Sequence, residues 1–152
     1  MCLFCDIANG TSPSFKLWED EKFMAFLDIF PNTKGQTIVI PKKHYDSDLF
    51  LIQDGKFIKE YFLATQQVVE VLKKWLWVSR VSMIMEWMGV NHVHLKLYPL
   101  IWLSEERKPT LARDEIYFQQ YEGYLSTQPW PQADMESLWA LQTQIVNGGL
   151  LN

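Results

Sequence analysis

Apolar residues recur at three-to-four spacing along residues 56–77: Phe57, Ile58, Tyr61, Phe62, Val68, Val69, Leu72, Trp75 and Leu76. That period marks one face of an amphipathic helix. The stretch therefore predicts a long helix, with Asp54 as its N-cap and Lys73 and Lys74 at the end where cations complement the helix dipole. Elsewhere the pattern shortens to a period near two, or to β-branched runs. Residues 15–19 and 22–28 predict short strands, and residues 36–41 a buried one. Between the last two, residues 29–35 are rich in turn formers. Residues 78–86 predict a further strand, Gly89 a short turn, and residues 91–97 a last strand closed by Pro99. Strands, helix, strands in that order predict an α+β fold with an antiparallel sheet.

After residue 100 the pattern changes. Residues 104–113 are charged and contain proline, which predicts a surface loop. Residues 114–124 and 134–146 predict helices capped by Asp114 and Asp134, joined through a rigid extended link at residues 128–131. By its length a chain of 152 residues is one domain. We divide it into a core of residues 1–100 and an extension of residues 101–152 packed on that core.

Composition narrows the function classes. Apolar residues make up 48% and charged residues 21%, as in ordinary globular proteins. A net charge of −4 argues against a general nucleic-acid binder, which carries a basic patch or stripe. A small nucleotide needs only local positive groups and stays compatible. Two cysteines do not make a disulfide scaffold. No basic segment followed by an apolar run marks a signal peptide, and no stretch reaches the roughly 18–20 apolar residues of a membrane span. The expected compartment is the cytoplasm, with no membrane partner. The seven tryptophans read first as packing residues. Only Trp87 lies close enough in sequence to the histidines to stand near a bound base.

The chemistry concentrates at His92-Val93-His94-Leu95-Lys96-Leu97, which holds two of the three histidines. In a strand, side chains two apart share a face. His92, His94 and Lys96 would form one row at about 7 Å spacing, with Val93, Leu95 and Leu97 toward the core. Such a row suits a metal, a phosphate or one of each; a half-exposed strand that happens to carry histidines is the plainer reading. Cys2 and Cys5 are spaced C-x2-C, and His44 follows Pro41-Lys42-Lys43. Thiolate and imidazole are the preferred zinc ligands. Cys2, Cys5, His44 and His92 would complete a closed Cys2His2 set and leave His94 free for chemistry. Two small hydrophobes near a terminus, or a redox pair, remain the alternatives for the cysteines. A redox C-x-x-C opens a helix in a βαβ pattern, and the sequence shows no such pattern.

Four segments in order resemble the histidine triad (HIT) family: Cys2-x-x-Cys5-Asp6-Ile7, Phe26-Leu27-Asp28-Ile29-Phe30-Pro31, Val39-Ile40-Pro41-Lys42-Lys43-His44 and Asn91-His92-Val93-His94. The resemblance covers residues 2 to about 99. It implies a five-stranded antiparallel sheet with a long helix, a homodimer, and nucleotidyl hydrolases or transferases that act at the α-phosphate of a purine nucleoside phosphoryl compound. It further implies His94 as the nucleophile, Asp28 as the ribose-hydroxyl ligand, and Cys2, Cys5, His44 and His92 as ligands of a structural zinc. Asp28 has a second reading as a turn-capping aspartate. Residues 100–103, after the triad, fall where relatives line the leaving-group pocket.

Two departures bear on activity. Lys96 stands where the family carries its third histidine, and the loop at residues 86–90 is short and lacks the family's Gly-Gln-Ser or Gly-Gln-Thr phosphate donors. Asn91 offers one amide donor, or serves as a turn residue. An ammonium is a good point charge for phosphate but a poorer proton donor than imidazole near neutral pH. Lys96 is therefore expected to hold phosphate while assisting the leaving group less, with slow turnover. Three function classes follow: a phosphoramidase or dinucleoside polyphosphate hydrolase working through His94; a catalytically weak nucleotide-binding or regulatory protein on the same fold; and an interaction module in which zinc alone explains the cysteines and histidines.

Overall fold

The computed structural model describes residues 2–86, 89–102 and 136. Within the compact unit Met1–Glu106, the chain runs through α1 (Leu3–Ala8), β1 (Lys16–Glu19), β2 (Phe23–Leu27), β3 (Thr37–Pro41), a 3-10 turn (Leu49–Leu51), α2 (Gly55–Leu76), β4 (Val81–Met85) and β5 (Leu95–Pro99). The strands form one sheet in the order β1-β2-β3-β5-β4, and every neighbouring pair is antiparallel. The expected α+β class and five-stranded sheet are what the chain adopts.

The long helix forms where its periodicity placed it. The Asp54 carboxylate accepts the N–H groups of Lys56 and Phe57 at 3.0 and 3.1 Å, satisfying two donors that the helix start leaves open. At the other end Trp77 leaves the helical pattern in a left-handed conformation, φ 55°. Phe57, Tyr61, Ala64, Val68 and Leu72 make the buried stripe of α2. They pack on Phe23, Ala25, Val39, Leu95 and Leu97 from one sheet face and on Val93 just ahead of β5. Tyr61 is fully buried, lies nearly parallel to Phe23 at 5.3 Å, and donates its hydroxyl to the Val39 carbonyl at 2.7 Å.

The opposite sheet face holds a second, smaller core of Met24, Phe26, Ile38 and Ile40, closed by Phe4 and Ile7 of α1. This is why every residue of β3 is buried: the strand is covered on both sides. No described helix is long and apolar enough to cross a membrane.

Three differences from the sequence reading stand out. The helix α1 is a feature that periodicity could not signal, because six residues carry only one buried pair, Phe4 and Ile7. Cys2 is its N-cap and Cys5 lies within it, so the C-x2-C does open a helix. The histidine strand starts at Leu95, not at residue 91. Upstream, the backbone finds partners outside the sheet: Val93 N–H bonds to the Tyr45 carbonyl at 3.2 Å. Alternation nonetheless continues, with Val93 in the α2 core and the His92 and His94 rings against Phe4. The expected elements at residues 104–113, 114–124, 128–131 and 134–146, the packing of the 101–152 extension, and Trp87 lie outside the described residues.

Candidate functional site

The four expected metal ligands come together. Sγ of Cys2 lies 3.5 Å from Nδ1 of His92, and Sγ of Cys5 lies 3.3 and 3.5 Å from Nδ1 of His44 and His92. One ligand atom from each residue falls within 4.8 Å of all the others. A tetrahedral zinc with bonds of about 2.3 Å to sulfur and about 2.0–2.1 Å to nitrogen separates its ligand atoms by about 3.3–3.8 Å. The three sulfur–nitrogen separations above fall within that range, and a contraction of about 1 Å at most brings the rest of the donor set to such an ion.

The chemistry of the donors agrees with the geometry. Nε2 of His92 stands 2.8 Å from the Pro41 carbonyl. Only an N–H can bond there, so the neutral ring turns the lone pair of Nδ1 toward the two sulfurs. Burial is the main cause that lowers the His92 pKa from its ordinary value, with His44 and His94 contributing and the Pro41 contact opposing. Desolvation is likewise the main cause that raises the Cys5 thiol, followed by the hydrogen bond and charge of Cys2. A bound cation favours the thiolate form and so offsets the burial that raises Cys5.

His94 sits next along the same row. Its Nδ1–H donates to the backbone carbonyl of His92 at 2.8 Å, which leaves the Nε2 lone pair free. The ring is 3% exposed and meets the edge of Phe4 at 5.2 Å. Its pKa is lowered, first by desolvation and then by the charge of Lys96; the His92 carbonyl, Glu86 and Asp28 act in the opposite sense. A neutral imidazole with a fixed tautomer is the form a nucleophile or general base requires.

Next to this row, over β2 and β3, lies a cavity of about 420 Å³. Phe4, Ile7, Phe26, Ile38 and Val90 give it apolar walls, and Asp28 supplies a carboxylate. Phe4 belongs both to this cavity and to the His94 surroundings. Asp28 is held in place from two sides: Oδ1 accepts the Phe30 N–H at 2.8 Å, and Oδ2 accepts Nε2 of the buried Gln36 at 2.7 Å. The turn-capping reading of Asp28 thus describes one of its oxygens, while the residue also faces the cavity. Gln36 in turn accepts the Asn32 N–H at 2.9 Å, tying the whole 28–36 loop to one carboxylate.

Asn91 uses its side-chain oxygen to accept the Ser47 N–H at 2.9 Å and is otherwise exposed. Lys96 forms an ion pair with Glu86, and both side chains are largely buried, at 22% and 16% exposure. Sequence reasoning missed Glu86, Gln36 and Phe4. For Glu86 a signal existed: it ends the predicted strand before the turn, so antiparallel pairing of the two predicted strands brings it to the histidine end of the last one. For Phe4 and Gln36 there was none, since each acts only through tertiary contact.

A family model described as HIT domain matches residues 9–99. An uncharacterized HIT-like protein of Methanocaldococcus jannaschii is 41% identical over 106 residues, which cover 65% of this chain and 78% of that one. Among solved structures, SMU.412c from Streptococcus mutans superposes with a TM-score of 0.66 at 30% identity, covering 97% of this chain and 84% of its own. A histidine triad protein from Clostridium difficile is 31% identical, with a TM-score of 0.58 and coverage of 68% and 93%.

Proposed function

This chain belongs to the HIT domain family, and from that premise we propose that it is a nucleotide hydrolase or nucleotidyl transferase acting through His94 at the α-phosphate of a nucleoside phosphoryl compound. The observation that carries this reading is the His94 ring itself: its Nδ1–H is engaged by the His92 carbonyl, so Nε2 is the attacking atom. The cavity beside it takes the nucleoside, with the base between Phe4, Ile7, Phe26 and Ile38 and the ribose hydroxyls on Asp28. A cavity of this size and apolar character suits a purine nucleoside.

In the reaction, the Nε2 lone pair attacks the α-phosphorus in line. The bond from phosphorus to the leaving group breaks, and its electron pair departs with that group, which takes up a proton. Water then attacks the nucleotidyl-histidine, the P–N bond breaks, and nucleoside monophosphate leaves with His94 restored. This divides one hard displacement into two easier ones. Lys96 is the cation for the phosphoryl oxygens, where fixed positive charge contributes most.

Cys2, Cys5, His44 and His92 hold zinc in this reading, and because all four positions are protein ligands the metal is structural, without a site for activated water. Through His92 these residues anchor the carbonyl that orients His94. The same reading carries a cytoplasmic homodimer.

A second reading has a specific observation behind it. The ammonium of Lys96 is already paired with Glu86, which fits a nucleotide-binding regulatory protein with weak catalysis. Intact-protein mass spectrometry after incubation with adenosine 5′-phosphoramidate and with a diadenosine polyphosphate separates the two. A mass increase of one AMP, or AMP release, that is lost in His94→Asn supports the enzyme. Nucleotide binding with neither product supports the regulatory protein, and no nucleotide binding by metal-loaded, folded protein refutes both.

A further inference from the structure

The surroundings of Lys96 suggest which substrates the site prefers. In the β4–β5 ladder Met85 pairs with Leu95 and Ile84 with Lys96. Glu86 stands one residue past the end of that ladder, at the end of β5 from which His94 emerges. Glu86 then reaches diagonally to Lys96, with which it forms the partly buried ion pair. The apolar cavity lies over β2 and β3, which follow β5 on the side away from β4 in the sheet order, and Gly89 and Val90 of the β4–β5 connection also line it. A nucleoside seated there, with its phosphorus at His94, sends its leaving group toward β4 and the Glu86–Lys96 pair.

We propose that Glu86 is a specificity-determining residue: it competes with substrate phosphate for Lys96, so that the site favours leaving groups that add no negative charge, such as amines, over polyphosphate chains. This deepens the function proposed above and rests on it. A lone lysine would attract each added phosphate. A lysine paired with a carboxylate has nearly no net charge, and the carboxylate repels any second phosphate brought alongside. Like charges brought together at a partly desolvated site cost enough to reverse a preference. A cationic or neutral amine meets no such repulsion and can accept a hydrogen-bonded position beside Glu86.

The test compares AMP, ADP and ATP binding by calorimetry to the metal-loaded protein. For the wild type, affinity stays level or falls from AMP to ATP. Glu86→Gln removes the carboxylate charge in nearly the same volume, and the ATP-to-AMP affinity ratio rises about tenfold. Adding Lys96→Met to that variant cancels the gain, because no cation remains to be released. Glu86→Asp keeps the charge and leaves the ratio within about threefold of wild type; it serves as the control for a local packing change. Equal effects of Glu86→Gln on all three nucleotides, or none, overturn the assignment while leaving the nucleotide site standing. Absence of binding by wild type for every nucleotide overturns the functional reading and this assignment with it.

Discussion

Removing the metal proposed for Cys2, Cys5, His44 and His92 should release α1 while leaving the sheet and α2 folded. The helix has six residues, and its apolar anchors are Phe4 and Ile7, 5% and 8% exposed. Burying two such side chains contributes about 3–6 kcal/mol. Fixing six residues of backbone costs about 6–12 kcal/mol. Apolar burial alone therefore falls short by about 4–5 kcal/mol at mid-range and by up to about 9 kcal/mol. A closed Cys2His2 zinc site, worth about 10–16 kcal/mol in peptides where it folds the whole chain, covers that difference. The larger core between α2 and the sheet includes no residue of α1, so it has no reason to open. Hydrogen exchange read by mass spectrometry, before and after chelation, should show protection of the α1 amides falling by about two to four orders of magnitude. The amides of α2 and of the β2–β3 pair should keep theirs. Nucleotide affinity should fall in parallel, because Phe4 and Ile7 wall the cavity. The reasoning is refuted if α1 stays protected in protein shown to be metal-free, or if sheet and helix unfold together with it.

Three further outcomes follow from particular contacts. Because the His94 pKa is lowered, mainly by burial, the neutral nucleophile persists below the ordinary histidine value. The acidic limb of kcat/KM should be centred below 6.5 in zinc-saturated enzyme, with activity rising as pH rises through it; a midpoint above that value contradicts the assignment. Tyr61→Phe removes the hydroxyl bonded to the Val39 carbonyl inside the core and should lower stability by about 1–3 kcal/mol, read from the urea midpoint at unchanged slope; an unaltered midpoint would mean that carbonyl is satisfied without Tyr61. Gly35 has φ +80°, and a Cβ there would overlap Cδ1 of Leu76. Gly35→Ala should therefore cost about 1–3 kcal/mol in thermal unfolding, and a neutral or stabilising effect would show that the 28–36 loop relaxes freely.

The chain's own pattern determined much of this protein. The three-to-four spacing after Asp54 placed α2 to within a residue or two, because a long amphipathic face has few alternative arrangements. β-branched runs located the strands for a similar reason: a segment buried on both faces, such as β3, can carry almost nothing polar. Ligand chemistry and motif order together picked out Cys2, Cys5, His44 and His92 before any distance was known, since cysteine and histidine are the preferred zinc ligands and the chain has only two and three of them. What only the tertiary structure decided is how those groups act on one another. The hydrogen bond from His94 to the His92 carbonyl, which selects the attacking nitrogen, depends on backbone that leaves the ladder at residue 94. The Gln36 clamp on Asp28 joins two ends of a loop, and the Phe4 wall comes from a helix too short to announce itself. The Glu86–Lys96 pair changes a lone cation into a neutral couple. Each depends on a backbone path or a side-chain orientation that the packed structure sets, and neither composition nor local periodicity encodes those.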